Sequence, residues 1–127
     1  MMIIDSSVWI ALYNKADNQH AKAMSISATF ANVALPEYVF LETCTLLLAK
    51  AGRDVAELFL AYALDSADVT VLHSSPEFFQ ATTSLFRHLT NKNLSFVDVS
   101  LLVLSESYEV ITFDKALARA IAARKRK

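Results

Sequence analysis

The sequence predicts an α/β domain of three layers, an α/β/α sandwich built on a central parallel sheet of about four strands. Three observations carry this expectation. Short apolar runs recur at residues 2–4, 33–35, 69–72 and 110–113, each about the length of a buried strand. Segments of helical periodicity stand between them in pairs, as parallel strands joined by helical crossovers require. Two of the runs end on a carboxylate, Asp5 and Asp114, at strand ends of the kind that bind ligands in open α/β sheets.

Met2-Ile3-Ile4 forms the first strand. Asp5, Ser6 and Ser7 then open a helix through about Tyr13, because Asp and Ser side chains satisfy the free N–H groups of a first turn. Asn14-Lys15-Ala16-Asp17-Asn18 reads as a turn. A second helix begins near Gln19, with His20, Ala21, Met24, Ile26 and Phe30 at near-helical spacing, and Asn32 closes it before the strand Val33-Ala34-Leu35. Pro36 suits the first turn of a third helix, about Glu37 to Ala51, where its missing N–H costs nothing.

That third helix is apolar almost all round, and Glu42 shares a side with Tyr38, Leu41, Thr45 and Ala49. A carboxylate there needs a partner or a solvated pocket. Gly52, the only glycine, is suited to the left-handed position that ends this helix. Residues 54–67 form a fourth helix, and Val69-Thr70-Val71-Leu72 a β-branched strand. Ser75 caps a fifth helix, with Pro76 at its first position. It runs to about Thr90, with Phe78, Phe79, Leu85, Phe86 and Leu89 mostly inside.

Beyond the loop at 91–93, Ser95 and Asp98 match the serine-x-x-acid capping pattern of a sixth helix. Val110-Ile111-Thr112-Phe113-Asp114 repeats the opening theme before an Ala-rich last helix from Lys115. The sequence ends with no further strand-like run, so the sheet is expected to stop at four strands.

The 127 residues fit one domain, 1–127, with a core of its own. At 54% apolar the chain is rich for a water-soluble protein, yet no apolar run approaches the roughly 18 residues needed to cross a bilayer. The excess is assigned to the core and to a subunit or partner surface. The first apolar run is broken at Asp5 and lacks a basic leader, so a cytoplasmic protein is expected. Cys44, the single cysteine, cannot form an internal disulfide and is read as a small core residue.

Charge divides along the chain. Residues 1–118 hold thirteen Asp and Glu against seven Lys and Arg, while 119–127 hold five basic residues and no acid. This basic tail is either a solvated terminus or an arm for a polyanion.

Asp5, Glu42, Asp98 and Asp114 each have a purely structural reading, as a helix cap or as part of a polar stripe. Taken together they admit a sharper one, in which Asp5 and Asp114 end adjacent parallel strands while Glu42 and Asp98 converge from helices. Two like charges about 5 Å apart repel by roughly 3 kcal/mol at an effective dielectric of 20, so such a pocket needs a cation or protons. All-oxygen ligands favour Mg²⁺ or Mn²⁺ over zinc, and His20, His73 and His88 lack metal-ligand spacing. Hard metals with open positions serve phosphoryl chemistry, with a metal-activated water as nucleophile.

With those residues in place, the chain resembles a PIN domain. The segments that carry the likeness are Ile3-Ile4-Asp5-Ser6-Ser7-Val8-Trp9-Ile10-Ala11-Leu12, Phe40-Leu41-Glu42, Leu94-Ser95-Phe96-Val97-Asp98 and Ile111-Thr112-Phe113-Asp114-Lys115. They stand in the family's order and span nearly the whole chain. The resemblance implies a metal-dependent endoribonuclease, most similar to the VapC-like toxins of toxin–antitoxin pairs. It implies Asp5, Glu42, Asp98 and Asp114 as catalytic metal ligands, with Ser7 and Thr112 as supporting hydroxyls.

Family members often carry a further Asp where this chain has Asn91, and many have a further strand after the last helix. Candidate RNA contacts are Lys92, Lys115, Arg119 and Arg124. The expected partners are RNA, a second copy of the chain and a cognate antitoxin. A housekeeping RNA-processing nuclease and a non-enzymatic interaction domain of the same fold remain alternatives. A phosphatase wants a second Asp where Ser7 stands, and a receiver domain wants adjacent acids at the first strand.

Overall fold

The computed structural model describes residues 1–90 and 93–126; Asn91, Lys92 and Lys127 lie outside the described residues, and the candidate RNA contact at Lys92 lies outside with them. In chain order the elements are β1 (Met2–Ile4), α1 (Ser6–Tyr13), α2 (His20–Ser27), β2 (Val33–Pro36), α3 (Glu37–Ala51), α4 (Arg53–Asp65), β3 (Val69–Leu72), α5 (Pro76–His88), α6 (Phe96–Leu104), β4 (Glu109–Ile111) and α7 (Lys115–Lys125). The four strands form one parallel sheet in the order β3-β2-β1-β4.

Successive side chains of a strand point to opposite faces. Ile3 and Ile4 of β1 are both fully buried, as are Val33, Ala34 and Leu35 of β2, so helices cover both faces of the central strands. The result is a three-layer α/β/α sandwich. β1 and β4 are direct neighbours, with Ile3 opposite Val110 and Ile4 opposite Ile111. Their carboxyl ends, and therefore Asp5 and the segment 112–114, emerge side by side.

The core is centred on Trp9, which is fully buried on α1. Its ring meets Phe59 at 5.4 Å, Phe30 at 5.8 Å, Tyr62 at 6.2 Å and Tyr13 at 6.5 Å between centroids. α1 is thereby clamped against α4 and the chain leaving α2.

Several boundaries and faces differ from the sequence expectation. α2 ends at Ser27, and Phe30 packs on Trp9 from the irregular segment that follows. β4 stops at Ile111 because Thr112 and Phe113 leave the ladder to bond across the sheet end. α3 is not sealed from water: Leu41 and Leu48 are 58% and 51% exposed. Phe79 and Phe86 of α5, expected inside, are 52% and 46% exposed, each with its ring against Phe96. Cys44, expected in the core, is half-buried and packs against the core's edge.

Gly52 joins α3 to α4 with φ 95° and ψ 171°, so the positive φ expected there is found, combined with an extended ψ. A side chain rarely tolerates that combination. A Cβ at Gly52 would meet no atom within 4 Å, and the penalty for Gly52→Ala is therefore backbone strain alone. About 1–3 kcal/mol of destabilisation is expected, measured as a lower urea midpoint at unchanged m-value.

Candidate active site

The end of β1 hands the chain directly to α1, and Asp5 sits at that junction as the helix cap. It is 3% exposed, a burial a carboxylate bears only when its oxygens are well supplied with donors. Oδ1 accepts from the Ser6 backbone N–H at 2.7 Å. Oδ2 accepts from the Ser7 hydroxyl at 2.9 Å and the Thr112 hydroxyl at 2.7 Å.

The two hydroxyls are themselves held. Ser7 Oγ accepts from the Phe113 N–H at 3.0 Å, and Thr112 Oγ1 from the Asp114 N–H at 3.0 Å. A chain of bonds thus laces the start of α1 to the segment after β4 and fixes the orientation of Asp5.

Glu42 reaches the same place from α3. Its Oε1 accepts from the Ser6 hydroxyl at 2.6 Å. Ser6 is the residue that sequence reasoning left out of the site: only the three-dimensional placement of α3 beside the first turn of α1 gives it a carboxylate to hold. Burial, followed by the negative charges of Asp5 and Asp98, pushes the Glu42 carboxyl above its ordinary value, with the Ser6 bond acting in the opposite sense.

Asp98 stands in the first turn of α6. It completes a capping box, Ser95 N–H to Oδ2 at 2.9 Å and Asp98 N–H to Ser95 Oγ at 3.1 Å. Its carboxyl too is pushed up, mainly by burial and then by the charges of Asp5 and Asp114 against the relief of the Ser95 bonds. Asp114 caps α7, with Oδ1 accepting from the N–H groups of Ala116 and Leu117 at 2.9 and 3.2 Å. The structural and the electrostatic readings of these acids therefore coexist: Asp5, Asp98 and Asp114 serve helix caps, while the charge of Asp5 acts on both Glu42 and Asp98, that of Asp98 on Glu42 and that of Asp114 on Asp98.

Among the described residues none of the four acids has an ion-pair partner, and no three acid, His or Cys side chains stand close enough to hold one ion in this conformation. The donor chemistry nevertheless suits a hard cation. Glu42 Oε2, Asp98 Oδ1 and Asp114 Oδ2 accept no hydrogen bond among the described residues, which leaves three free carboxylate oxygens around a buried fourth group.

The candidate RNA contacts divide. Lys115 and Arg119 are exposed on one face of α7, a single turn apart and starting beside Asp114. Arg124 is held elsewhere, its Nη2 on Glu106 at 2.6 Å. α7 begins at the site and runs away from it, so ten residues on, Arg124 lies roughly 15 Å along the helix from Asp114.

A PIN-domain family model matches residues 2–122. The chain belongs to the PIN-domain family. Among solved structures this PIN domain is similar to VapC20 of Mycobacterium tuberculosis, described as a sarcin-ricin loop cleaving toxin. The two chains share 31% identity at a TM-score of 0.81, over 94% of this chain and 95% of that one. No protein of curated function matches the sequence.

The crowded acids of the PIN domain carry a consequence for pH. For Asp98 the folded-state value lies above the unfolded one, so the native state binds more protons across that window and stability falls as pH rises through it. The penalty is absent below the ordinary Asp value of about 4 and fully present above the raised value. Asp98→Asn keeps an acceptor for the Ser95 cap and removes the charge. The metal-free variant is expected to melt above wild type at neutral pH, with the gap closing as pH falls below about 4; equal melting at neutral pH would contradict it.

Proposed function

We propose that this PIN domain is an endoribonuclease that works with Mg²⁺ or Mn²⁺ and serves as the toxin of a toxin–antitoxin pair. The observation that carries the reading is the buried Asp5, locked by three short donor bonds at the end of β1 with three further carboxylates about it, each offering a free oxygen. Family membership and the toxin activity described for the 31% identical VapC20 support it.

Asp5, Glu42, Asp98 and Asp114 are the residues that would hold the ion. When bound there, such an ion supplies polarisation of a phosphate oxygen and a lowered pKa for a water molecule. The chain's own residues do the positioning. Ser7 and Thr112 aim Asp5, Ser6 aims Glu42, and the caps on α6 and α7 set Asp98 and Asp114 at their helix starts. Lys115 and Arg119, with Lys92 before α6, draw the RNA backbone toward an acidic surface by an attraction that weakens with salt.

The exposed leucines of α3 and α4, Leu41, Leu48, Leu58 and Leu64, are the surface we assign to the antitoxin and a second copy of the chain. No helix among the described residues is long and apolar enough to cross a membrane, and an RNA substrate places the action in the cytoplasm.

The test is cleavage of a structured RNA with Mn²⁺, Mg²⁺ or EDTA, together with expression of the chain alone in cells. Metal-dependent cleavage and growth arrest are expected. Absence of cleavage on several RNAs, with no divalent-ion binding by calorimetry, would leave the acids as caps only. Harmless expression of an active nuclease would overturn the toxin role.

A further inference from the structure

A cleft of about 290 Å³ opens beside the acids on the side of α1 and α2. Two of its walls, Ser7 and Asp114, belong to the carboxylate site; the others include Asn18, Gln19, Lys50 and Phe113. We propose that this cleft is a base-recognition subsite, which takes one unstacked base of the RNA next to the scissile phosphate and reads its edge with the amides of Asn18 and Gln19. The inference rests on the nuclease reading above and adds to it a determinant of sequence preference.

Four observations argue for it. The volume lies near the lower end of small-ligand sites, room for one nucleoside and not for a duplex. The lining mixes the carboxylates of Asp17 and Asp114 with the ammonium of Lys50, so it does not present the single positive sign that a phosphate site would; a neutral base with both donors and acceptors suits it better. Sequence-specific recognition of RNA acts largely on unstacked bases through hydrogen bonds to their edges.

The amides are also free, on a turn whose backbone is held. Among the described residues the side chains of Asn18 and Gln19 make no hydrogen bond, while their backbone is pinned. Asp17 Oδ1 accepts from the Gln19 N–H at 2.8 Å, the Asp17 N–H bonds Asn14 O at 3.0 Å, and His20 Nδ1 lies 2.8 Å from Ala11 O. Paired donors and acceptors on a turn whose backbone is already ordered can select a base, with only the two side chains left to be ordered. Lys22 Nζ lies over the Phe113 ring at 4.8 Å from its centroid, which braces that wall of the cleft.

The experiment compares cleavage maps of wild type, Asn18→Ala and Gln19→Ala on an RNA pool randomised around the cut site, with metal present. The rate at the preferred base is expected to fall roughly ten- to hundredfold relative to the other three, so that the preference flattens. An unchanged base preference in both variants would overturn the subsite, even with cleavage intact. Should wild type cleave nothing, the nuclease reading falls and a second measurement decides the cleft by itself. The four nucleoside 5′-monophosphates are titrated into the metal-free full chain while the side-chain amide resonances of Asn18 and Gln19 are followed by NMR. Shifts of those amides with one base ahead of the others support the site, and no shift at millimolar nucleotide removes it.

Discussion

Replacing Asp5 by Asn is expected to lower RNA cleavage by roughly 10²-fold or more while leaving the protein folded. The substitution keeps the shape of a side chain that is almost wholly buried and removes its charge. Its new NH₂ group would face donors, and the hydroxyls of Ser7 and Thr112 can rotate to accept instead. Those oxygens already accept the Phe113 and Asp114 N–H groups, so the rearranged network is somewhat weaker and a modest loss of melting temperature accompanies the variant.

The loss of cleavage and the loss of divalent-ion affinity should go together, which calorimetry on the same preparation measures. Thr112→Val supplies the graded comparison. It removes one donor to Asp5 without touching the charge, and outer contacts of this kind typically cost 10- to 100-fold in metal affinity or activity. Wild-type cleavage by Asp5→Asn would show that the acids do not act as a metal site.

The parts of this site that were legible in the sequence are those that follow from local rules. A run of apolar residues ending in Asp before a helix start is a strand end with a polar group, wherever it occurs. The carboxyl ends of β1 and β4, which lead to Asp5 and to the segment 112–114, stand side by side because the strands are neighbours, a pairing the repeated theme implied. Ser75, Ser95 and Asp98 announced their caps through spacing alone, and the structure has all three bonds.

What escaped was what depends on distance in three dimensions. The partner of Glu42 is Ser6, thirty-six positions away, and nothing in the helical pattern of α3 indicates it. Exposure escaped for a different reason. Leucines and phenylalanines at helical spacing look alike whether they face the core or a partner, so the pattern places Phe79 and Phe86 inside and does not say which leucines of the apolar α3, such as Leu41 and Leu48, meet water. The direction of α7 was also hidden: a basic tail near an acidic site in sequence proves to run away from it, with Arg124 bound to Glu106.

Trp9→Ala is expected to destabilise the chain by about 3–5 kcal/mol, and to damage the active site through the fold. Trp9 is fully buried and its ring touches four other aromatic rings, so truncation leaves a cavity that none of the neighbours can fill without leaving its own contacts. Set against a total of about 5–15 kcal/mol for a domain of ordinary stability, the loss is large enough to leave a substantial unfolded fraction on mild heating. Trp9→Phe retains a ring against Phe59 and is expected to cost clearly less. The link to function is short: Trp9 N–H and Val8 N–H both bond Asp5 O, at 3.2 and 3.0 Å, so the turn that positions Asp5, Ser6 and Ser7 is the turn that Trp9 anchors. Urea unfolding gives the stability of each variant, and cleavage measured at saturating Mn²⁺ should fall in Trp9→Ala and be largely retained in Trp9→Phe. A Trp9→Ala protein within about 1 kcal/mol of wild type would mean that its cavity collapses at little cost, and that α1 is held against the sheet by its other contacts.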